Sequence, residues 1–92
     1  MIADERRPIF APGVRLQTDA ATGKAVLLYP EGILQLNETA HAIALCCDGL
    51  TTVAQMITTL AAEYEISENE LQSDIDACLE DLQQQQLIIF AP

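Results

Sequence analysis

Residues 26–49 constrain this chain more than any other segment, because they specify two strands, a turn and the start of a helix. Two apolar runs flank the turn formed by residues 30–32, Pro-Glu-Gly, in which proline fixes φ and glycine tolerates a sharp bend. The side chain of Asn37 is suited to accept a hydrogen bond from the free backbone N–H groups of a helix that begins at Glu38. The segment therefore predicts a strand edge that leads directly into a helix N-terminus.

The charge of the chain is distributed unevenly along its 92 residues, of which half are apolar. The net charge is −10, and residues 25–92 contain 11 carboxylates and no Lys or Arg. The apolar content favours a folded chain over a disordered one, and the length suits one domain with a modest core. Such a surface repels phosphate backbones and anionic membranes, so we expect a cationic or neutral partner and neither nucleic acid nor a membrane.

The N-terminus lacks the apolar stretch of a secretory signal, and no later segment reaches the roughly 18 apolar residues of a membrane span. Cys46, Cys47 and Cys78 cannot all pair internally, and the adjacent pair is poorly placed to bond to itself. Reduced thiols and a cytoplasmic location are the expectation.

The first half of the chain predicts an arm followed by a sheet. Residues 1–12 contain two prolines and show no periodicity, which indicates an N-terminal arm before a single domain over residues 13–90, although Ile9 and Phe10 are able to dock. Residues 14–18 alternate as a half-buried strand does, and residues 20–23 form a hairpin loop. The run 25–29 is apolar on both faces, as in a central strand, and residues 33–36 supply a third strand.

Three helices are predicted to follow. The first has an apolar face at Ala40, Ile43, Ala44 and Cys47; the second, capped by Thr51, has an unbroken apolar stripe over residues 53–64. Residues 67–70 form a capping-box pattern before the third, and residues 87–90 form an apolar tail that is able to pack on the core. The predicted fold is α+β and winged helix-turn-helix-like, with a three-stranded antiparallel sheet followed by a three-helix bundle.

Five ordered pieces of the sequence resemble one known family. They are Pro-Gly-Val-Arg-Leu at 12–16, Val-Leu-Leu-Tyr-Pro-Glu-Gly at 26–32, Leu-Asn-x-Thr-Ala at 36–40, Cys-Asp-Gly at 47–49, and Thr-Val-x-x-x-Ile at 52–57. Together they are similar to the pyrroloquinoline quinone (PQQ) biosynthesis protein D family over about residues 12–87. The chain departs from the family pattern in the doubled Cys46-Cys47 and in a Gln-rich end where a glycine often stands.

This resemblance implies a non-catalytic peptide chaperone, a recognition element of ribosomal peptide natural-product pathways, that holds no cofactor. Its implied partners are the PQQ precursor peptide and a radical S-adenosylmethionine (SAM) enzyme that crosslinks the peptide's Glu and Tyr side chains. In the family, the leader peptide lies as an added strand along the third strand, in a groove walled by the third helix.

Strand addition requires an unpaired strand edge with apolar pockets beside it, and the short, uncharged third strand fits that requirement. We expect one of its two faces to meet the leader, with the third helix forming a wall and Asp74, Asp76 and Asp81 an acidic rim. A core role for Leu34 and Leu36 is the competing interpretation. The predicted peptide-binding residues are Ile33, Leu34, Gln35, Leu36, Leu71, Asp74, Ile75, Cys78 and Leu82.

Three other functions are open to such a chain. A homodimeric protein–protein adaptor is the main alternative, with strands exchanged through the loop at 30–32 or at 20–24. A winged-helix DNA-binding regulator is disfavoured because the third helix has no basic residue. An enzyme or metal site is disfavoured because His41 and the cysteines show no ligand spacing, so neither catalytic nor metal-binding residues are predicted.

Overall fold

The computed structural model describes residues 4–91, which form two small antiparallel sheets and three helices. The predicted α+β class, with a three-stranded antiparallel sheet and three helices, is confirmed. The elements are β1 (Arg7–Phe10), β2 (Arg15–Thr18), β3 (Ala25–Tyr29), β4 (Gly32–Gln35), α1 (Glu38–Leu45), α2 (Val53–Tyr64), α3 (Glu68–Gln84) and β5 (Ile88–Ala91).

The three-stranded sheet has the order β2-β3-β4, so the apolar strand β3 is central as its sequence predicts. Leu27 at its middle is fully buried and faces Leu16 on one neighbour and Leu34 on the other. Alternation in β2 and β4 leaves their outward residues exposed, because one face of the sheet packs against the helices. On the other face, Val26 of the central strand is still buried between Gln17 and Gln35. Because β4 is last in the strand order, it is an edge strand, and its buried face lies against the helices.

Local side-chain chemistry starts each helix, with two differences from the sequence expectation. Of the capping box expected at residues 67–70, the structure forms the Ser67 half. Asn37 accepts a hydrogen bond from the Ala40 N–H at 2.7 Å, and Ser67 accepts one from the Glu70 N–H at 3.2 Å. Helix α2 is capped by Thr52, which forms a reciprocal capping box with Gln55. The prediction that Thr51 caps α2 is wrong, because Thr51 instead donates through its N–H and hydroxyl to the carboxylate of Asp48.

A two-stranded ribbon of β1 and β5 joins the two ends of the described chain. The segment 1–12, expected to lack a periodicity of its own, thus contributes a strand at Arg7–Phe10, while its residues 1–3 and the final Pro92 lie outside the described residues. Pro8 is buried opposite Phe90, in a pair whose N–H groups point away from the partner strand, so its missing donor costs the ribbon no hydrogen bond. The guanidinium of Arg6 stacks over the Phe90 ring at 4.3 Å.

The turn between α3 and β5 has glutamine, not glycine, at its left-handed position. Gln86 takes a left-handed φ of 63°, the Leu87 N–H donates to the Leu82 carbonyl at 2.9 Å, and the Gln86 N–H donates to the Gln83 carbonyl at 3.0 Å. This is the Schellman pattern, and it directs Leu87 back onto Leu82, where both side chains are buried. The apolar tail therefore packs on the core, as its composition indicates.

Candidate functional site

The outer edge of β4 presents unpaired backbone groups, and the register identifies which residues carry them. The Leu36 N–H donates to the Ala25 carbonyl at 2.9 Å, so this pair is a hydrogen-bonded one. Opposed residues of antiparallel strands alternate between bonded and non-bonded pairs. Leu34 therefore exchanges its bonds with β3, whereas the N–H and C=O of Ile33 and Gln35 point away from β3.

No other strand within residues 4–91 pairs with that edge of β4. The strand also lacks the Lys, internal Pro or bulge with which sheets usually protect an edge. Ile33, whose backbone N–H and C=O point outward, is 65% exposed. The edge can accept a guest strand through four backbone groups without any change in the β3–β4 pairing.

A groove of about 420 Å³ lies between α1 and α3 and begins at Asn37, one residue beyond the buried Leu36. Its lining is mostly small or apolar, with a carboxylate towards each end of the α3 wall. Because Leu34 and Leu36 face the helical layer, alternate side chains of a guest strand beside β4 would point towards this groove. The lining residues are Asn37, Thr39, Ala40, Ile43, Asp74, Ala77, Cys78 and Asp81.

The predicted site residues divide into a surface set and a buried set. Ile33 and Gln35 are exposed on β4, Leu34 is half-buried, and Asp74 and Cys78 line the groove. The other four predicted residues lie in the hydrophobic core beneath the groove, because the apolar stripe of α3 is the buried face of that helix. They are Leu36, Leu71, Ile75 and Leu82.

Two of the three carboxylates predicted to form an acidic rim line the groove. Asp74 and Asp81 line it, whereas Asp76 is not among its lining residues. Positions 74 and 76 are separated by about 200° around the helix axis, so the two side chains leave α3 on different flanks. The groove therefore offers two carboxylates to a guest with basic side chains.

The thiols of this region are held neutral. Burial raises the pKa of Cys78 to about 11 and that of Cys47 to about 12. A neutral thiol is a weak nucleophile, so both side chains act as small apolar groups here.

Within residues 4–91, no group of three or more His, Cys, Asp or Glu side chains is placed to hold a metal ion. No helix in the described part of the chain is long and apolar enough to cross a membrane.

Sequence reasoning missed the contribution of α1 to the groove. Thr39, Ala40 and Ile43 form its second wall, and Ala77 adds a small side chain on α3 that leaves room for a guest. The available signal was Asn37, because a helix capped immediately after an edge strand begins at the end of that edge.

Residues 24–88 match the family model described as coenzyme PQQ synthesis protein D (PqqD). A PqqA binding protein of Xanthomonas campestris pv. campestris is 36% identical over 87 residues, which is 95% of each chain. A PqqA binding protein of Stutzerimonas stutzeri is 44% identical over 73 residues, covering 79% of this chain and 78% of that protein.

Two solved structures share the fold. The solution structure of the PqqD truncation of Methylobacterium extorquens PqqCD, described as a functional and stand-alone recognition element for ribosomally synthesized and post-translationally modified peptides, superposes with a TM-score of 0.77 at 33% identity. It covers 89% of this chain and 87% of that one. The crystal structure of PqqD from Xanthomonas campestris gives a TM-score of 0.59 at 36% identity, covering 95% and 97%.

Proposed function

The chain belongs to the family of coenzyme PQQ synthesis protein D, and from this premise we propose that it binds the ribosomal precursor peptide of PQQ as a peptide chaperone. Relatives that cover nearly the whole chain are PqqA binding proteins, and a structural neighbour is a peptide recognition element. The observation that carries the proposal is the open β4 edge beside the α1–α3 groove.

Strand addition is the proposed mode of binding. A guest in extended conformation would exchange hydrogen bonds with the outward backbone groups of Ile33 and Gln35, which gives affinity without regard to sequence. Its alternate side chains would enter the groove, where Cys78 and Ala77 leave room, and this step provides the selectivity.

Charge in the groove would act mainly on orientation and association rate. Asp74 and Asp81 would face Lys or Arg on the leader, and each exposed pair contributes only about 0–1 kcal/mol. The buried residues Leu71, Ile75 and Leu82 would act indirectly, by holding the α3 wall in place.

The protein itself would perform no chemistry and would present the bound peptide to a radical SAM enzyme. Burial raises the pKa of the Cys78 thiol to about 11, so this side chain of the groove is a poor nucleophile. The order of a sheet followed by three helices supports the winged helix-turn-helix-like description. The acidic third helix, with no Lys or Arg, supports a peptide over DNA as the partner.

The deciding experiment is a calorimetric titration of the protein with the synthetic PQQ precursor peptide, with a scrambled peptide of the same composition as control. We expect saturable binding of the native peptide in about one-to-one proportion, as for a single open edge. Light scattering at the same protein concentrations determines whether a dimer competes for β4. Absence of binding by a folded monomer would refute the proposed function.

Two matched variants locate the site. Ala77 and Ala62 are both exposed helical alanines, but only Ala77 lines the groove. Ala77→Gln should fill the groove and weaken peptide binding about fivefold, whereas Ala62→Gln should leave the affinity unchanged. Leu34→Asp should also weaken binding and Asp4→Ala should not, with unfolding curves for each variant to establish that the fold is intact.

A further inference from the structure

A hollow of about 610 Å³ lies where the end of β4 meets the starts of β3 and α1. We call it the β3–α1 hollow, and it is lined by residues 23–25, by residues 35–38 and by His41. It shares Asn37 with the α1–α3 groove, so the two concavities adjoin at the end of the β4 edge. A peptide bound along β4 would reach both of them.

Gln35 connects this hollow with the proposed peptide site. Its backbone N–H and C=O point away from β3, towards a guest strand, and the same residue lines the hollow. Leu34 packs on the core, so Gln35 lies on the opposite, outer face of the sheet. Because a guest strand on β4 directs alternate side chains to the two faces, those that do not enter the α1–α3 groove would lie beside Gln35 and the hollow.

The two concavities differ in charge. Asp74 and Asp81 line the α1–α3 groove. Lys24 and His41 line the β3–α1 hollow, together with one carboxylate, that of Glu38. Within residues 4–91, no carboxylate forms an ion pair with the ammonium group of Lys24, which is therefore available to a guest. The outer side of the proposed peptide site thus offers a cation where the groove offers two anions.

We propose that the β3–α1 hollow binds a side-chain carboxylate of the peptide held on β4. The Lys24 ammonium group is its ion-pair partner, and the His41 imidazole N–H is a further hydrogen-bond donor. The proposal rests on the proposed function, because it requires the guest strand on β4. It deepens that function by assigning a residue type to the peptide position that faces the outer side of the sheet.

The opposite charges of the two concavities would fix the register of the peptide. Successive side chains of a strand point to opposite faces, so an Asp or Glu in the β3–α1 hollow is adjacent in sequence to a residue that enters the groove. A slip of one residue would move that carboxylate towards Asp74 and Asp81. Repulsion there would disfavour the slipped register, and backbone hydrogen bonds alone provide no such discrimination.

The test is a calorimetric titration of the full chain with the PQQ precursor peptide at low and high salt. Lys24→Gln is matched by Arg15→Gln, because both residues are exposed and basic, and Arg15 does not line the hollow. We expect Lys24→Gln to raise the dissociation constant about threefold and to weaken its salt dependence, and Arg15→Gln to leave the affinity unchanged. Glu38→Gln removes a repelling charge and should lower the dissociation constant about twofold.

Peptides in which each Asp or Glu is replaced in turn by its amide identify the bound carboxylate. One of them should lose about threefold in affinity for the natural protein and lose nothing further with Lys24→Gln, as direct partners do in a double-mutant cycle. Equal losses in Lys24→Gln and Arg15→Gln, or losses that simply add, would overturn this inference and leave the proposed function intact. Failure of the natural protein to bind the natural peptide is the separate result that refutes the proposed function itself.

Discussion

A proline at position 35 tests the outward edge of β4 most directly. The N–H of Gln35 points away from β3, so replacing it with proline removes a hydrogen-bond donor that the sheet does not use. Edge strands tolerate proline when the lost N–H faces outward. The variant Gln35→Pro should therefore fold, yet offer a guest strand three backbone groups in place of four.

The magnitude follows from the loss of one hydrogen bond at the edge. A net contribution of about 0.5–1.5 kcal/mol corresponds to a rise in the dissociation constant of about 2-fold to 13-fold. A carbonyl of the guest left unpaired against β4 would move the result towards the upper end of that interval. Calorimetric titration with the PQQ precursor peptide measures this change directly.

The control for this variant lies on the other edge of the same sheet. Thr18 opposes Ala25 in a non-bonded pair, so its N–H also points outward, but from β2. Thr18→Pro should leave the peptide affinity unchanged. Natural affinity in a folded Gln35→Pro, or equal losses in both variants, would refute the assignment of the peptide to the β4 edge.

Three further predictions concern stability. Ile75 is fully buried, so Ile75→Ala should lower the free energy of unfolding by about 2–5 kcal/mol in urea titrations, and a smaller loss would place it outside the core. Asn37→Ala removes the cap of α1 and should cost about 1 kcal/mol, visible as a fall of about 4–8 °C in Tm; an unchanged Tm would contradict the capping role. Burial raises the pKa of Cys47 from 9.0 to about 12, so stability that depends on the neutral thiol is complete below pH 9 and is lost as the pH rises towards 12. The urea midpoint should therefore fall more steeply above pH 9 in the natural protein than in Cys47→Ala, and parallel curves would show that this thiol is not responsible.

The strands β2, β3 and β4 and the three helices were predictable because their signals are local. Alternation, apolar periodicity and a capping side chain each depend on residues a few positions apart, as at Asn37 and Ser67. The choice between Thr51 and Thr52 as the cap of α2 was missed although the contact that decides it is equally local, because the Asp48 carboxylate, three residues earlier, accepts hydrogen bonds from the N–H and hydroxyl of Thr51.

The type of site, an open strand edge beside a helix, was predictable from the sequence, but several of the residues that form it were not. The short uncharged strand at 33–36 indicated an open edge, and the structure supplies one. The apolar stripe of α3, however, faces the core, and the groove is formed by its flank at Asp74, Ala77 and Cys78 together with α1. Periodicity identifies which side chains share a helix face, but only packing determines which face is covered.

Local signals in the sequence predict the three strands of the larger sheet, the three helices, their order and most of the helix caps, because those depend on interactions within a few residues. The strands β1 and β5 and their pairing arise only in the folded chain, because they join opposite ends of the described residues. The tertiary structure also decided how α2 begins, where the carbonyls of Asp4 and Arg6 accept from the N–H groups of Ala54 and Val53. No local signal encodes such contacts, since their favourable energy arises only after the chain has brought distant segments together.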